Sequence, residues 1–224
     1  SVQGVGLTNY SIGYSNGTLS VNPASLLIAL GSTNKVYGTT LNPTAYTVSG
    51  LLNADSVTNV TLTSAGSVSN APVGSYAITV SLVEGAGLTN YDLGYSNGVL
   101  TVDLAGLVIT ALDTNKVYGA TLNPTEYAVS GLLNGDSVTN LTLFSTGSVS
   151  NAPAGTHPII ASAAQGSGLT NYNIGYSNGV LTVGNATLVI TPANTDKVYG
   201  TTLSPTEYRS EEHTSELQSP YVIS

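Results

Sequence analysis

The feature that most constrains this chain is an internal repeat with a period of 81 residues. The string LTNY begins at Leu7 and returns at Leu88 and Leu169, and the string KVYG recurs at the same interval from Lys35. When residues 7–87 are laid on 88–168, 52 of the 81 positions are identical. Self-similarity at a fixed period is typical of an array built from one duplicated structural unit. Each candidate site must therefore be compared with its counterparts in the other copies.

The ends of one unit are set by a short joint between two apolar segments. VLTVD ends at Asp103, and LVIT begins about four residues later. No long Gly/Ser linker of the kind that behaves as a coil separates them, so we expect units arranged end to end in a semi-rigid chain. The predicted domains are the C-terminal end of a preceding repeat (1–22), two complete repeats (23–103 and 104–184) and the start of a truncated repeat (185–208).

Residues 209–224 break the repeat directly after Tyr208. They contain the only arginine of the chain, Arg209, and three of its twelve acidic residues. Codons for RSEEHTSELQS resemble the start of a common sequencing-library adapter, and the reading frame also fits the residues that follow. We therefore interpret 209–224 as an adapter artefact without packed structure, in preference to an acidic functional tail, and leave it out of the fold prediction.

The rest of each unit has the pattern of about six short strands. SLLIAL at 25–30 is a short apolar run, and the segments at 44–50, 56–64 and 74–82 are rich in β-branched and aromatic residues. Turn residues separate them, including Asn-Pro and Leu-Asn-Ala-Asp. Since no long stretch has a period of 3.6, any helix is limited to a turn or two near 51–56. The predicted fold class is mostly β, with tandem small domains.

The motif NYxxGYSNGxLxV predicts a β-hairpin in each copy. Asn-Gly between alternating apolar runs is a strong hairpin signal, because both residues tolerate the positive φ of a type I′ turn. A two-residue loop at Asn97-Gly98, repeated at Asn16-Gly17 and Asn178-Gly179, would place apolar side chains together on one face. The expected pairs are Tyr95 with Leu100 and Leu93 with Val102.

Charge and composition exclude several classes of partner. The net charge is −8 and only 7% of the residues are charged, so the clustered Lys and Arg of a nucleic-acid or anionic-membrane surface are missing. The chain contains no cysteine, which removes disulfides and thiolate chemistry. No stretch approaches the ~20 apolar residues of a membrane span. Since 41% of the residues are hydrophobic, a packed core can form.

Candidate catalytic residues do not recur between the copies. His157 is replaced by Tyr76 in the first copy, and Glu126 and Glu207 correspond to Ala45. Neither a Ser–His–acid set nor a glycine-rich phosphate loop can be assembled. We therefore expect no enzyme, no catalytic residue and no cofactor, with His157 as a partly buried substitution and both glutamates on an outward face.

One aspartate position recurs in both complete copies. Asp55 and Asp136 stand in the turn LLNxDS, where an aspartate usually caps backbone amides. Asp92 and Asp103 would lie opposite each other in the hairpin, where like charges destabilise and a shared calcium ion would relieve the repulsion. No calcium-loop motif accompanies them, so a metal site is disfavoured. In the other copies the pair becomes Ser11 with Asn22 and Asn173 with Gly184.

A regular array of tyrosines leaves two interpretations open. Exposed tyrosines would stack on sugar rings, whereas buried ones would belong to the inner face of the hairpin with hydroxyls at the rim. The core interpretation is favoured because they share the predicted face with Leu93, Leu100 and Val102. The array comprises Tyr10, Tyr14, Tyr91, Tyr95, Tyr172 and Tyr176.

Several segments together resemble MBG ("mostly beta-grasp") domains of the YGX type. They are KVYG with the NP that follows, YTVSGLLNADSVT, APVGSY and NYDLGYSNGVLTV. The resemblance covers residues 1–208 and implies a β-grasp-like unit, with an immunoglobulin-like sandwich as the alternative. It brings no known catalytic residues with it.

The resemblance also implies where such a chain works. MBG modules occur in tandem in very large exported bacterial proteins, including filamentous-haemagglutinin-like adhesins. The expected location is therefore secreted or on the bacterial cell surface, and the expected role is a stalk or adhesive module that binds surface glycans or proteins weakly and multivalently. The alternative is a carbohydrate-binding accessory module of an exported enzyme.

Overall fold

The computed structural model of the chain describes residues 2–202 and the backbone of 208–211. About half of the residues are in strands, so the chain is mostly β, as its composition and strand pattern predict. Helical structure in these ranges is limited to turns of three residues, and no helix there is long and apolar enough to cross a membrane.

The two complete copies contain the same series of elements. In the first copy the strands are β1 (Ala24–Leu30), β2 (Thr33–Val36), β3 (Tyr46–Ser49), β4 (Ser56–Thr63), β5 (Gly74–Ala86), β6 (Tyr91–Ser96) and β7 (Gly98–Asp103). In the second they are β8 (Ala105–Ala111), β9 (Thr114–Val117), β10 (Tyr127–Ser130), β11 (Ser137–Phe144), β12 (Gly155–Ser167), β13 (Tyr172–Ser177) and β14 (Gly179–Gly184). The 3-10 turns are Leu7–Asn9, Ala65–Ser67, Leu88–Asn90, Thr146–Ser148 and Leu169–Asn171.

Each copy builds two sheets. The first copy has a three-stranded sheet in the order β3-β1-β6 and a four-stranded sheet in the order β2-β7-β5-β4, and the second copy repeats both as β10-β8-β13 and β9-β14-β12-β11. Within the smaller sheet β1 is antiparallel to β3 and parallel to β6, with Ala24 opposite Tyr91. Two facing sheets resemble a sandwich, while a parallel pair that joins the two ends of the unit is a β-grasp feature.

The hydrophobic core lies between the two sheets. In β1, Leu26, Ile28 and Leu30 are buried while Ser25 and Leu27 are exposed, as the period of 2 along a strand requires. Ile28 and Leu30 pack against residues of the larger sheet, namely Val60, Leu62, Ile78 and Leu100. The corresponding cluster of the second copy contains Ala111, Ile159, Ala161 and Leu181. Strands are confirmed in the predicted segments at 25–30, 44–50, 56–64 and 74–82.

The predicted hairpin at Asn97-Gly98 is wrong. β6 and β7 belong to different sheets, so Leu93 lies opposite Leu26 on β1 instead of opposite Val102. Neither Asn97 nor Gly98 has a positive φ, as a type I′ turn would require. The chain instead passes from one sheet to the other at Asn97. The second copy makes the same passage between β13 and β14.

Gly98 is needed for a close backbone approach. A Cβ on Gly98 would collide with the carbonyl group of Gly31, and a Cβ on Gly179 would meet the carbonyl oxygen of Ala111 at 2.6 Å. Glycine within a strand often marks such an approach. Alternation in the sequence identified which side chains of β7 are buried, but alternation does not reveal which strand is the neighbour.

The left-handed turn of the unit lies elsewhere. Asn53 and Ala54 have φ of 53° and 63°, and in the second copy Asn134 and Gly135 have φ of 52° and 79°. The amide of the following aspartate donates to the leucine carbonyl three residues earlier, at 2.9 Å in both copies. The expected helical turn near 51–56 is therefore wrong, because a tight turn occupies that position.

The compact units of the chain do not follow the sequence repeat. The first unit comprises Ser1–Asn34, Leu41–Ser67 and Ser75–Thr101. The second comprises Lys35–Thr40, Val68–Gly74 and Val102–Ser224. Two loops of the first copy, 35–40 with the KVYG motif and 68–74, thus belong to the second compact unit. The repeat boundaries at 23, 104 and 185 remain predictions from the sequence.

The partial copies at either end contain fewer strands. Residues 10–23, which correspond to β6 and β7, form no strand, so the hairpin expected at Asn16-Gly17 is also wrong. In the last copy β15 (Val189–Pro192) pairs with β16 (Tyr208–Glu211), with Pro192 opposite Tyr208 in the register of β8 and β10. The backbone of 209–211 thus continues a strand. Residues 212–224, most of the predicted adapter segment, lie outside the described residues.

Candidate functional site

The most elaborate polar cluster of the described residues surrounds Tyr37. We call it the Tyr37 socket, and it consists of Asp136, Tyr172, Asn134 and Asn171, all in the second compact unit together with Tyr37 itself. Tyr37 is only 4% exposed and Tyr172 only 6%. The sequence repeat alone could not group these residues, because they stand at different positions of different copies.

Two tyrosines share one carboxylate oxygen at the centre of the socket. The hydroxyl of Tyr37 donates to Oδ2 of Asp136 at 2.8 Å, and the hydroxyl of Tyr172 donates to the same oxygen at 2.8 Å. The two rings meet edge to face, with centroids 5.5 Å apart and planes at 80°. Hydrogen bonds to an ionised acceptor are stronger than neutral ones, and edge-to-face rings add a favourable aromatic contact.

Local structure puts the carboxylate of Asp136 in place. The left-handed turn from Leu133 to Asp136 aims it inwards, and Gly168, with φ of 71°, leaves the space it occupies, because a Cβ there would collide with it. The hydroxyl of Tyr172 also accepts from the amide of Leu133 at 2.8 Å. Asp136 therefore accepts tyrosine hydroxyls, whereas the sequence predicted that it caps backbone amides.

Two asparagine side chains fasten the loop at 68–74. Nδ2 of Asn134 donates to the carbonyl oxygen of Ser69 at 3.1 Å, and the amide of Val73 donates to Oδ1 of Asn171 at 3.0 Å. Asn171 is 8% exposed, so its hydrogen bond lies away from water. Since both bonds go to the backbone of the loop, they do not depend on the side chains at 69 and 73.

The electrostatics of the socket suit a structural role. Burial, together with the neighbouring Asp136 carboxylate, raises the pKa of Tyr172 to about 12. Burial also raises the pKa of Tyr37 above its ordinary value. A general acid or base works best with a pKa near the operating pH. Both hydroxyls therefore remain protonated at neutral pH and act as hydrogen-bond donors, which favours a structural role over proton transfer.

The first unit contains the counterpart of the socket. The hydroxyl of Tyr91 donates to Oδ2 of Asp55 at 2.9 Å and accepts from the amide of Leu52 at 2.8 Å. Burial raises the pKa of Tyr91 above its ordinary value. Asn90, the counterpart of Asn171, is exposed. The carboxylate–tyrosine pair is thus assembled in both units, but only in the second is it covered by another tyrosine.

A buried lysine shapes the KVYG loop of each complete copy. Nζ of Lys35 donates to the carbonyl oxygens of Thr39 at 2.7 Å and Val68 at 2.5 Å, and Lys116 makes the same two contacts, with Ala120 and Val149. Desolvation lowers the pKa of Lys35 below its ordinary value. Sequence reasoning missed this role. The available signal was a lysine recurring in every copy of a chain with few charges.

The structure separates the other acidic candidates. Asp92 lies on β6 opposite Ser25, whereas Asp103 ends β7 in the other sheet, so the predicted pairing of these carboxylates is wrong. Glu126 is exposed, and Glu207 lies outside the described residues. Within the ranges 2–202 and 208–211, no group of three or more His, Cys, Asp or Glu side chains could hold a metal ion.

His157 is held by two neighbours in the second unit. Its Nε2 lies 2.9 Å from the carbonyl oxygen of Pro153 and its Nδ1 lies 3.3 Å from Oγ1 of Thr146. The side chain is half-buried, in agreement with its interpretation as a partly buried substitution. His157 lies on β12, and these contacts hold its ring against Pro153 and Thr146.

The tyrosine array divides into two groups. Tyr91 and Tyr172 are buried, as the core interpretation predicts. Tyr95 and Tyr176 are 47% and 41% exposed, so their assignment to the core is wrong. The reason is the missing hairpin, since β6 alternates against β1 and not against β7. The remaining two, Tyr10 and Tyr14, are also exposed.

Two-sheet β units in tandem define a repeat module. The profile of the MBG domain family (YGX type) matches residues 26–101 and again residues 107–182. The chain belongs to this family, whose members are generally non-catalytic structural modules of exported bacterial surface proteins. No curated protein matches the chain significantly.

Proposed function

We propose that this chain is part of the stalk of a bacterial surface or secreted adhesin and carries out no catalysis. The observation that supports it best is the Tyr37 socket. Through it, two loops of one sequence repeat become part of the compact unit formed around the next repeat. A stalk needs such connections between successive copies, because a displacement at one end of the chain must be passed on to the other end.

The strand order within a repeat supports the same function. β1 begins the repeat and runs parallel to β6 near its end, over six residue pairs. A force that pulls the two ends of the repeat apart therefore shears this ladder along its length and loads its hydrogen bonds together. Pulling across an antiparallel pair from its open end would break the bonds one after another. The repeat is thus built to resist tension along the chain.

Adhesion itself would follow from the number of copies. Weak binding of each repeat to surface glycans or proteins would add up, since linked modules raise the effective concentration of the next binding event. The strongly raised pKa of Tyr172 and the lack of recurring catalytic residues support a structural function over an enzymatic one.

Single-molecule pulling of the full chain tests the stalk proposal. Each repeat should unfold as one event and lengthen the chain by about 250–290 Å, from 81 residues at up to ~3.6 Å each. Because the chain contains no cysteine, Ser56→Cys with Ala86→Cys provides handles at the open end of the β4·β5 pair. Unfolding through these handles should need much less force than pulling from the chain ends. Equal forces would contradict a tension-bearing role.

A groove in the first unit favours the alternative, a carbohydrate-binding accessory module. It has a volume of about 450 Å³ and is lined by the half-exposed ring of Tyr95 together with polar groups of Thr79, Ser81 and Asn97. An aromatic face beside hydroxyl and amide groups is suited to a sugar ring. Calorimetric titration with soluble oligosaccharides decides the matter. Saturable binding that Tyr95→Ala abolishes and Tyr176→Ala retains would favour this alternative.

A further inference from the structure

Asn-Gly pairs are the places where a protein chain loses side-chain amide groups most easily. The backbone nitrogen of the glycine attacks Cγ of the asparagine, and glycine has no Cβ to hinder the approach. The chain contains four such pairs. Asn16-Gly17 lies outside the strands, while Asn97-Gly98, Asn134-Gly135 and Asn178-Gly179 lie in the two complete copies. The surroundings of the last three decide which of them can react.

Two of these three glycines are enclosed. Gly98 and Gly179 are buried, and a Cβ on either would collide with the backbone of a neighbouring segment. Their amides are therefore shielded from the hydroxide that removes the amide proton, and a new ring beside them has no room. Gly135 is exposed, and apart from its chain neighbours no part of the described chain comes within 4 Å of a Cβ built on it. Only the pair at Asn134 combines access to water with free space.

The side chain of Asn134 holds two loops at one point. Its Nδ2 donates to the carbonyl oxygen of Ser69 at 3.1 Å, and the same oxygen accepts from the amide of Gly38 at 3.0 Å. Deamidation replaces the NH2 donor by a carboxylate oxygen, which only accepts. It also adds a negative charge two residues from Asp136, the central acceptor of the socket. Both changes weaken the attachment of the loop at 68–74.

We propose that Asn134 is a site of spontaneous deamidation and that its modification loosens the loop at 68–74. The nitrogen of Gly135 forms a bond to Cγ of Asn134, and the bond from Cγ to Nδ2 breaks. Ammonia leaves with the proton of the glycine amide, and a cyclic succinimide remains. Water then opens the ring at either of its carbonyl carbons and gives aspartate or isoaspartate. Nothing is oxidised or reduced, and water is the co-reactant.

The isoaspartyl product has the larger effect on the turn. It leads the backbone through Cβ and Cγ and so adds one atom between Asn134 and Gly135, where φ is 52° and 79°. The amide of Asp136 donates to the carbonyl of Leu133 across this stretch, at 2.9 Å. That hydrogen bond depends on the present spacing, so isoaspartate should disrupt the turn that aims Asp136 inwards.

The first copy supplies the matched control. Its turn has Ala54 at the position of Gly135, with φ of 63°, so the fold accommodates alanine there. Because a Cβ on the residue after the asparagine hinders the attack, Gly135→Ala should keep the turn and prevent the reaction. The inference goes beyond the stalk proposal, since a stalk extends whether or not one of its contacts ages.

Site-resolved mass spectrometry of the full chain tests the reaction. The protein is incubated at mildly alkaline pH, where the glycine amide loses its proton more often, and then digested with pepsin in acid, which stops the reaction. Asn134 should deamidate at least ~10-fold faster than Asn97 and Asn178, which corresponds to about 1.4 kcal/mol in the activation barrier. Gly135→Ala should bring the rate at Asn134 down to theirs. Equal rates at the three sites of the wild type would overturn the proposal.

Hydrogen exchange tests the effect on the loop. After the incubation, amides of 68–74 should exchange at least ~3-fold faster than in fresh protein, as expected from the loss of one hydrogen bond. Asn134→Asp carries the aspartyl product from the start and should exchange fast without incubation, whereas Gly135→Ala should exchange alike before and after it. Unchanged exchange in the deamidated wild type, or slow exchange in Asn134→Asp, would overturn the loosening of the loop.

Discussion

Tyr37 and Tyr172 lie 135 positions apart in the sequence, yet their hydroxyl groups donate to the same oxygen of Asp136 and their rings meet edge to face at 5.5 Å. The tyrosine of the first KVYG motif thus closes a polar cluster in the compact unit formed around the following repeat. Five measurements test this interpretation of the site and of the fold around it.

Removing the hydroxyl of Tyr37 should destabilise the second unit. Tyr37→Phe deletes a hydrogen bond to a charged group, which contributes about 1.5–3 kcal/mol. Tyr118→Phe is the matched control and should change the free energy of unfolding by less than about 0.5 kcal/mol, because that ring is largely exposed. Urea unfolding followed by circular dichroism at low protein concentration measures both. Equal effects would contradict the assignment of the socket to Tyr37 alone.

The two recurring aspartates should differ in their contribution to stability. Asp136→Ala removes a charged acceptor from two buried hydroxyls, whereas Asp55→Ala removes one from a single hydroxyl. At about 2 kcal/mol for each lost hydrogen bond to a charged group, the expected losses are about 4 and about 2 kcal/mol. Asp136→Asn keeps one acceptor oxygen and should recover part of the loss. The interpretation fails if Asp55→Ala proves the more harmful change in urea titrations.

The left-handed turn offers a stabilising substitution. Ala54 has φ of 63°, where the second copy has Gly135 at 79°. A residue with a Cβ pays about 1–2 kcal/mol in this region, so Ala54→Gly should stabilise the first unit by about 1 kcal/mol, and Gly135→Ala should destabilise the second by a similar amount. Thermal unfolding of both variants measures the two changes, which should have opposite signs.

Because the chain passes from one sheet to the other at Asn97, substitutions of Asn97 and Gly98 should have unequal effects on stability. Gly98→Ala should destabilise strongly, because the new methyl group meets the backbone of Gly31 and Leu30, which has no room to move. Asn97→Ala should change stability by less than about 0.5 kcal/mol, since Asn97 has no positive φ to sustain. In a type I′ hairpin, substitution of either residue would lower the stability. Chemical unfolding of the two variants therefore distinguishes the observed passage from the hairpin.

High pH should weaken the second unit through Tyr172. Its pKa is about 12 in the folded state and about 10 when unfolded, so the folded state holds the proton more strongly. Stability from this group is complete below pH 10 and falls as the pH rises towards 12. The lowered pKa of Lys35 acts in the opposite direction. The wild type should therefore lose stability more steeply than Tyr172→Phe between pH 10 and 12, and parallel curves would contradict this.

Period and composition predicted the strands better than their partners. The strands at 25–30 and within 44–50 and the burial of alternate residues such as Ile78 could be read from the sequence, because both depend on local patterns. The neighbour of β6 could not, since an alternating strand fits a hairpin and a parallel partner equally well. The Asn-Gly pair favoured the hairpin because glycine tolerates the positive φ of a type I′ turn. Glycine also permits a close approach of two backbones, and this is its role at position 98.

The candidate site was harder to predict than the fold. Asp136 was noticed as a recurring turn residue, and Tyr172 as a buried tyrosine, but their common partner Tyr37 was not connected with either. Its partners come from the next copy of the motif, and comparison of copies by position matches Tyr37 with Tyr118 instead. A contact that crosses from one copy to the next is invisible to an alignment that lays one copy on another.

The parallel ladder between β1 and β6 also sets when a repeat can fold. Ala24 must wait for Tyr91, 67 residues later in the chain, before the smaller sheet can close. Non-local pairing of this kind delays folding, because the entropy of loop closure must be lost before the contacts form. A repeat threaded through a narrow pore from either end therefore stays extended until nearly all of it has emerged. Each copy would then fold in turn after it had left the pore, and the folded copy would oppose backward sliding of the chain.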